Sequence, residues 1–577
     1  MKTRPGSVLA LGIILLLISP LASCTGKGVS AQDGRAAGQG PGEQNCANLM
    51  TSVKQFPFKT EITIAHFYAD GVAKADGIAT DEKTPLPAHC LVQGVINARG
   101  RIDTVRYGDL FELRMPINWN GRFMFQGGGG TKGMLPPAVG VAGTATPTLA
   151  KGYAVVSNDG GHEDGRLAKP VAFGLDPQAR LDFGYQTDDR TVQTAKFLIN
   201  QFYGRMPDHS YHVGCSLGGQ EGMQFSQRFP DYFDGIVAGA PVFDLGSISL
   251  SETNGLQAIA AISPKDANGA PEYYKSFSKN DQALLTRAIL GACDKLDGLV
   301  DGVIDNRTAC TFDPATFVFP ETDQPLRCGG AKNDNCLSAA QIGAIKRINQ
   351  GPRTSSGKPV VLPSGSTVVG YPYDGGFMEW TGIPSRLIGS ETARPGHLNG
   401  RFATEQIPYL HFAKPDETYD AMKFNYDTDV QRMEKAAVVA NSTDLSAFKS
   451  HGGKILYYHG VSDPGPLSIN TINYYDSLAA LNGGVAETQK FARLYLIPNM
   501  GHCRGGPATD QFDMLTPLVD WVEKGQAPAA IVASGSNFKT PPAKRRRPLC
   551  AYPMIAKYTG PAGGDIADAE NYACQQP

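Results

Sequence analysis

The segment that most constrains the fold is Ser210-Tyr-His-Val-Gly-Cys-Ser-Leu-Gly-Gly-Gln-Glu-Gly222, where a short apolar run meets a Gly-x-Ser-x-Gly turn and passes straight into a helical stretch. A serine at such a junction sits on a sharp, strained strand-to-helix turn, so small residues (Gly214 and Gly218) must flank Ser216 and its hydroxyl stands above the end of a sheet. The helix that begins there has unsatisfied N–H groups and the positive end of its dipole beside the serine, which suits the Leu217 amide to a developing negative oxygen. The motif alone also fits an ordinary turn. Its position between a strand and a helix is what singles it out.

The surrounding sequence supplies the sheet. Tyr153 to Ser157 is a β-branched run followed by Asn158-Asp-Gly-Gly161, and Asp189 to Phe202 is amphipathic at helical spacing. Alternation of this kind predicts a mostly parallel sheet flanked by helices. From Val242 to Asn441 the pattern changes to helical pieces rich in Gly, Pro and Asp, with four cysteines, before strand-like runs return at Lys454 to Tyr458 and Ala492 to Ile497, followed by a helical Asp513 to Glu523. The chain of 577 residues exceeds one ordinary domain. It reads as an α/β-hydrolase fold over residues 45–241 and 442–577, interrupted by a large inserted lid domain at 242–441.

A serine hydroxyl is a weak nucleophile at neutral pH and needs a base within hydrogen-bond reach, itself oriented by an acceptor. In this fold the chain order is serine, acid, histidine. Asp463 lies after the strand Lys454 to Tyr458 and His502 after the strand Ala492 to Ile497, both on loops where a parallel sheet presents reactive groups. His162, His212 and His459 precede Asp463, break that order and read as packed or surface histidines. Cys215 precedes Ser216 and Cys503 follows His502, so a meeting of serine and histidine would bring the two cysteines into bonding range. A second oxyanion donor is expected from Phe123-Met-Phe-Gln-Gly-Gly-Gly-Gly-Thr131, at Gly129 or Gly130, because glycine amides approach a ligand without Cβ obstruction. A flexible hairpin is the plainer reading of that run.

Lys2 and Arg4 precede the apolar run Val8 to Ile18, which ends in Leu21-Ala-Ser-Cys24. A basic start, a short apolar stretch and small residues describe an export signal over residues 1–24, and the last four resemble a lipobox that would leave a lipid on Cys24. Residues 25–44 read as a flexible tether, and the chain is expected outside the cytoplasm, secreted or anchored to an outer membrane as a lipoprotein. Without Cys24, ten cysteines remain, an even number that suggests up to five disulfides in an oxidising compartment. Cys293 with Cys310 and Cys328 with Cys336 are pairs suggested by proximity. A net charge of −2 and a pI near 6.6 give no electrostatic reason for a nucleic-acid partner. A small neutral or modestly charged substrate and a monomeric chain are expected.

The acidic run Cys293-Asp-Lys-Leu-Asp-Gly-Leu-Val-Asp-Gly-Val-Ile-Asp305 places Asp294, Asp297 and Asp301 among turn-forming glycines. Converging oxygens of this type suit Ca²⁺, so a structural calcium site in the lid is expected, with a solvated acidic turn as the alternative.

Together these features resemble the tannase and feruloyl esterase family, marked by Cys-Ser, Asp and His-Cys, here Cys215-Ser216, Asp463 and His502-Cys503. The likeness covers nearly the whole chain after the export signal. It is strongest to the family's terephthalate monoester hydrolases, in Ala172 to Asp182, Ser226 to Pro230 and Phe512 to Val519. The resemblance implies a serine carboxylic ester hydrolase acting on esters of small aromatic acids, of feruloyl, galloyl or terephthaloyl monoester type. It also implies disulfides Cys46–Cys90, Cys215–Cys503, Cys293–Cys310, Cys328–Cys336 and Cys550–Cys574, and calcium held by Asp294, Asp297 and Asp301 with the carbonyls of Leu299 and Val303. Departures fall in the substrate pocket. Arg386 stands at a tryptophan position, Pro466 at an aromatic one, Leu217 at an acidic one, and Arg394 and Arg401 are candidate partners for a substrate carboxylate. A calcium-dependent surface binding protein without catalysis, or an amidase or peptidase using the same three residues, are the competing functional readings.

Overall fold

The computed structural model describes residues 41–51, 53–71, 85–102, 105–141, 146–163, 170–380, 387–390, 402–435 and 438–577. Nine strands form its main sheet: β1 (Thr60–Tyr68), β2 (His89–Ile102), β3 (Val105–Pro116), β4 (Arg122–Gln126), β5 (Ala154–Asn158), β6 (His209–Cys215), β7 (Gly235–Gly239), β8 (Lys454–Gly460) and β9 (Ala492–Ile497). Their order across the sheet is β1-β2-β3-β5-β4-β6-β7-β8-β9. The last six in that order run parallel, and β1 to β3 form an antiparallel edge joined through β5. The strand order reverses at β4, with β5 on one side and β6 on the other, and open α/β sheets bind ligands beyond the carboxyl ends of the strands at such a point.

Period-two alternation decides which face each strand residue covers. Phe123, Phe125, Ala154, Val156, Ile455, Tyr457 and Leu494 fill one face together with helices α1 (Pro41–Thr51), α2 (Thr187–Tyr203) and, further along the chain, the helix Ser468–Leu481. Met124, Val155, Tyr211, Leu456 and Tyr495 fill the other, beneath the helix Leu515–Lys524. Helix α3 (Leu217–Arg228) follows β6 directly.

Between β7 and β8 the chain leaves the sheet. The helices α4 (Leu245–Ile262), α5 (Lys279–Cys293) and α6 (Ala339–Gln350) pack around their own apolar core, which includes Leu256, Ile259, Leu285, Ile289, Ile342 and Ile345. Ser278 with Asp281 and Ser338 with Gln341 form capping boxes that satisfy the first-turn amides of α5 and α6 and so set where each helix starts.

Five disulfides join Cys46–Cys90, Cys215–Cys503, Cys293–Cys310, Cys328–Cys336 and Cys550–Cys574. They accord with an oxidising, extracytoplasmic compartment. The lipid anchor expected at Cys24 is corrected by this pairing. Ten of the eleven cysteines are consumed, no cysteine among the described residues is left to carry a lipid, and Cys24 itself lies outside the described residues, as do 1–23 and most of the tether. Among the described residues no helix is long and apolar enough to cross a membrane.

The calcium expectation is also corrected. Among the described residues no group of three His, Cys, Asp or Glu side chains comes together that could hold a metal ion. The carboxylate oxygens assigned to calcium meet protein donors instead. Asp294 accepts the amides of Gly302 (2.9 Å) and Asp301 (3.3 Å), and Asp297 those of Leu299 (2.9 Å) and Asp305 (3.1 Å). Asp301 accepts the Val303 amide at 3.2 Å and faces two guanidinium groups, Arg545 at 3.0 Å and Arg547. Arg547 also pairs with Asp305 at 3.1 Å. Positive charge therefore comes from the strand Arg545–Cys550, and Asp294, Asp297, Leu299, Asp301 and Val303 do not form a cation cage.

Candidate active site

Ser216 stands at the N-cap position of α3 without a side-chain capping bond, with φ +66° and ψ −121°, left-handed backbone that a serine adopts only where its surroundings hold it. Its amide donates to the Gly239 carbonyl at the end of β7 (2.9 Å). Gly214 and Gly218 are required here by contact. A Cβ on Gly214 would lie 2.5 Å from the Gly218 carbonyl, and one on Gly218 would lie 2.8 Å from the Gly128 oxygen.

Asp463 and His502 follow β8 and β9. The His502 Nδ1 lies 2.7 Å from Asp463 Oδ2, and the other carboxylate oxygen accepts the Gly465 amide at 2.8 Å. A carboxylate facing Nδ1 keeps the ring proton there and leaves Nε2 as the basic atom. Burial works against ionising Asp463, but the charge and hydrogen bonds of His502 and His459 overcome it and hold the carboxyl well below the usual carboxylate range. The Cys215–Cys503 bond, with Cα atoms 6.0 Å apart, ties the residue before Ser216 to the residue after His502.

The glycine run leaves β4 next to β6. The Gly127 amide donates to the Val213 carbonyl (2.9 Å) and the Gly218 amide to the Gly128 carbonyl (3.0 Å), so the run lies backbone to backbone against the start of α3. Gly129 and Gly130 are different: a Cβ on either would meet nothing within 4 Å, and Gly130 has φ +59°. The Leu217 side chain is buried in an apolar cluster with Val242, Leu245, Ile248, Tyr409 and Leu410, all from the segment between β7 and β8.

The rival histidines have other partners. His162 is buried and stacked on Phe173, and His212 Nε2 donates to the Gly218 carbonyl at 2.8 Å. His459 is buried, with Nδ1 2.7 Å from Thr471 Oγ1 and Nε2 2.8 Å from the Pro466 carbonyl and 3.4 Å from Asp463 Oδ2. Its part in holding Asp463 escapes a reading based on chain order, although a spacing of four residues was a usable signal. Lys132 and Glu221 were also missed: they form a buried ion pair behind the glycine run. Arg386, Arg394 and Arg401 lie outside the described residues. A cavity of about 400 Å³ opens between Tyr373, Val461, Phe538 and Tyr552, but Ser216, Asp463 and His502 do not line it.

Comparison with known proteins bears on the family and the fold. The family model for tannase and feruloyl esterase matches residues 90–575. The mono(2-hydroxyethyl) terephthalate hydrolase of Piscinibacter sakaiensis is 44% identical over 532 residues, covering 86% of this chain and 87% of that protein. A probable feruloyl esterase of Arthroderma benhamiae is 30% identical over 475 residues, covering 80% and 81%. Among solved structures, feruloyl esterase B from Aspergillus oryzae superposes with a TM-score of 0.71 at 23% identity, covering 92% of this chain and all of that one, which supports the fold. With its family model matched over most of its length, the chain belongs to the tannase and feruloyl esterase family and is a hydrolase of ester bonds.

Proposed function

We propose that this chain is a serine carboxylic ester hydrolase for esters of small aromatic carboxylic acids, of the feruloyl, galloyl or terephthaloyl monoester type, working through an acyl-enzyme. The observation that carries the reading is the disulfide between the neighbours of Ser216 and His502, combined with the 2.7 Å contact from His502 Nδ1 to the buried Asp463. The relatives named for terephthalate and feruloyl esters favour an aromatic acid, and the apolar cluster around Leu217 offers a dry wall for its ring.

Ser216 Oγ attacks the ester carbonyl as His502 Nε2 takes its proton, and the resulting imidazolium is stabilised by Asp463. The oxyanion is met by the Leu217 amide and by that of Gly129 or Gly130. Collapse expels the alcohol, protonated by His502, and water then releases the acid by the same steps in reverse roles. Residues 242–441 act as a lid over the site formed by 45–241 and 442–577.

Methyl ferulate, methyl gallate and mono(2-hydroxyethyl) terephthalate assayed side by side, each with its amide counterpart, test the substrate class. Hydrolysis of at least one aromatic ester, with the amides inert, is expected. Ser216→Ala is expected to lower kcat by roughly 10⁴-fold or more. A Ser216→Ala protein that hydrolyses these esters at a comparable rate refutes the nucleophile.

A further inference from the structure

The glycine run is anchored by a buried charge cluster that the triad chemistry does not use. The backbone of Lys132 closes a turn, its amide donating to the Gly129 carbonyl at 3.0 Å. Its side chain then folds back beneath the run, so close that a Cβ on Gly128 would lie 2.8 Å from Lys132 Cε. The ammonium ends among Asn158 Oδ1 of β5 (2.8 Å), Asp188 Oδ1 of α2 (2.7 Å) and Glu221 of α3. The side chains of Lys132, Asp188 and Glu221 are each at most 3% exposed.

Glu221 completes the connection. One oxygen pairs with Lys132, and Oε2 accepts the Gly128 amide at 3.0 Å. Gly128 in turn accepts the Gly218 amide through its carbonyl, so the run is held to α3 by a side chain of α3 and by its backbone. The turn needs an anchor because Gly130 (φ +59°) and Lys132 (φ +57°) both lie in the left-handed region, which is strained for lysine. Burial disfavours the charged ammonium, but Asp188 and Glu221 more than offset this and hold the lysine above its ordinary range.

We infer that Lys132 and Glu221 are positioning residues that fix the Gly129 and Gly130 amides relative to the Ser216 hydroxyl, and so control stabilisation of the oxyanion rather than binding of the substrate. Replacing a buried ion pair by groups of similar volume is often neutral for folding. An arrangement kept for stability alone would therefore leave the rate untouched, whereas one that places amides would lower kcat.

The inference rests on Ser216 as the nucleophile, and the test separates the two. The double variant Lys132→Met/Glu221→Gln removes the pair and leaves Asp188 with its 3.0 Å hydrogen bond from Asn158, so its urea midpoint is read beside its rate, and Glu221→Gln alone keeps an oxygen that accepts the Gly128 amide. With p-nitrophenyl butyrate as substrate and phenylboronic acid as a tetrahedral-adduct probe, kcat of the double variant is expected to fall roughly 10- to 100-fold while KM stays within about twofold. The boronate Ki should weaken by a similar factor, and Glu221→Gln should fall between the wild type and the double variant. Wild-type kcat in a folded double variant overturns the inference, as does an unchanged boronate Ki or a loss that merely tracks the urea midpoint. A Ser216→Ala protein that is inactive beside a fully active double variant overturns the positioning role alone. An active Ser216→Ala protein overturns the nucleophile itself.

Discussion

Removing the Cys215–Cys503 bridge should cost stability and catalysis by separate routes. The bond joins residues 288 apart in sequence, so chain entropy caps its stabilisation at about 5.7 kcal/mol. The Cys293–Cys310 and Cys328–Cys336 bonds shorten that loop, but the dependence is logarithmic and the figure hardly moves. Cys46–Cys90 spans 44 residues, with a corresponding limit of about 4.0 kcal/mol. By this reckoning each bond is worth at most a few kcal/mol to folding, with the limits about 1.7 kcal/mol apart. They differ in what they hold. Ser216 (φ +66°) and Cys503 (φ +63°) both sit in left-handed backbone, so the loops on either side of the Cys215–Cys503 bond are strained and free to relax once it is gone. Misplacement of a reacting group by about 1 Å costs on the order of 100-fold in rate. Cys215→Ala/Cys503→Ala is therefore expected to lose about 100-fold in kcat/KM at 25 °C while still folded, whereas Cys46→Ala/Cys90→Ala stays within about twofold of wild type. Initial rates on a chromogenic aromatic ester, read beside urea midpoints and labelling of Ser216 by a fluorophosphonate, measure both effects. A Cys215→Ala/Cys503→Ala protein that unfolds earlier yet turns over at the wild-type rate would refute the argument that the bond sets active-site geometry.

Two further outcomes concern stability. Burial depresses the pKa of His212 to about 4 from its ordinary 6.5, so the folded protein keeps it neutral while the unfolded chain takes up a proton below 6.5. The stability it contributes is complete above pH 6.5 and declines as the pH falls toward 4, by about 1.4 kcal/mol per pH unit. His212→Gln should flatten the acid limb of a urea-midpoint titration by that slope, and parallel limbs would count against it. Arg547→Met leaves Asp301 and Asp305 buried without their shared cation and should cost about 3–5 kcal/mol in chemical denaturation, while a loss below about 1 kcal/mol would mean the clamp is dispensable.

Much of the fold was legible because strand and helix periods differ. Ala492 to Ile497 reads as a strand with the bounds it has, Lys454 to Tyr458 falls two residues short of β8, and Asp189 to Phe202 falls inside α2. The antiparallel edge β1 to β3 was not anticipated, since pairing direction leaves no mark on a single strand's pattern. At the site, Cys215 and Cys503 were readable as a pair because each adjoins a residue already picked out by motif and chain order. Lys132 was not. A lysine after four glycines looks like a solvated turn, and its burial depends on Asp188 and Glu221, distant in sequence. The acidic loop misled for the same reason: Asp294, Asp297 and Asp301 at turn spacing suggested a cation, but the charges that meet Asp301 are guanidinium groups more than 240 residues away.

That remoteness limits how the insertion could be exchanged among relatives. The insertion grafted onto a foreign body would bring its carboxylates and leave behind Arg545 and Arg547, which belong to the strand Arg545–Cys550. A transplant confined to the segment between β7 and β8 would inherit an orphaned acidic knot, so a working chimera must carry the strand Arg545–Cys550 as part of the same module.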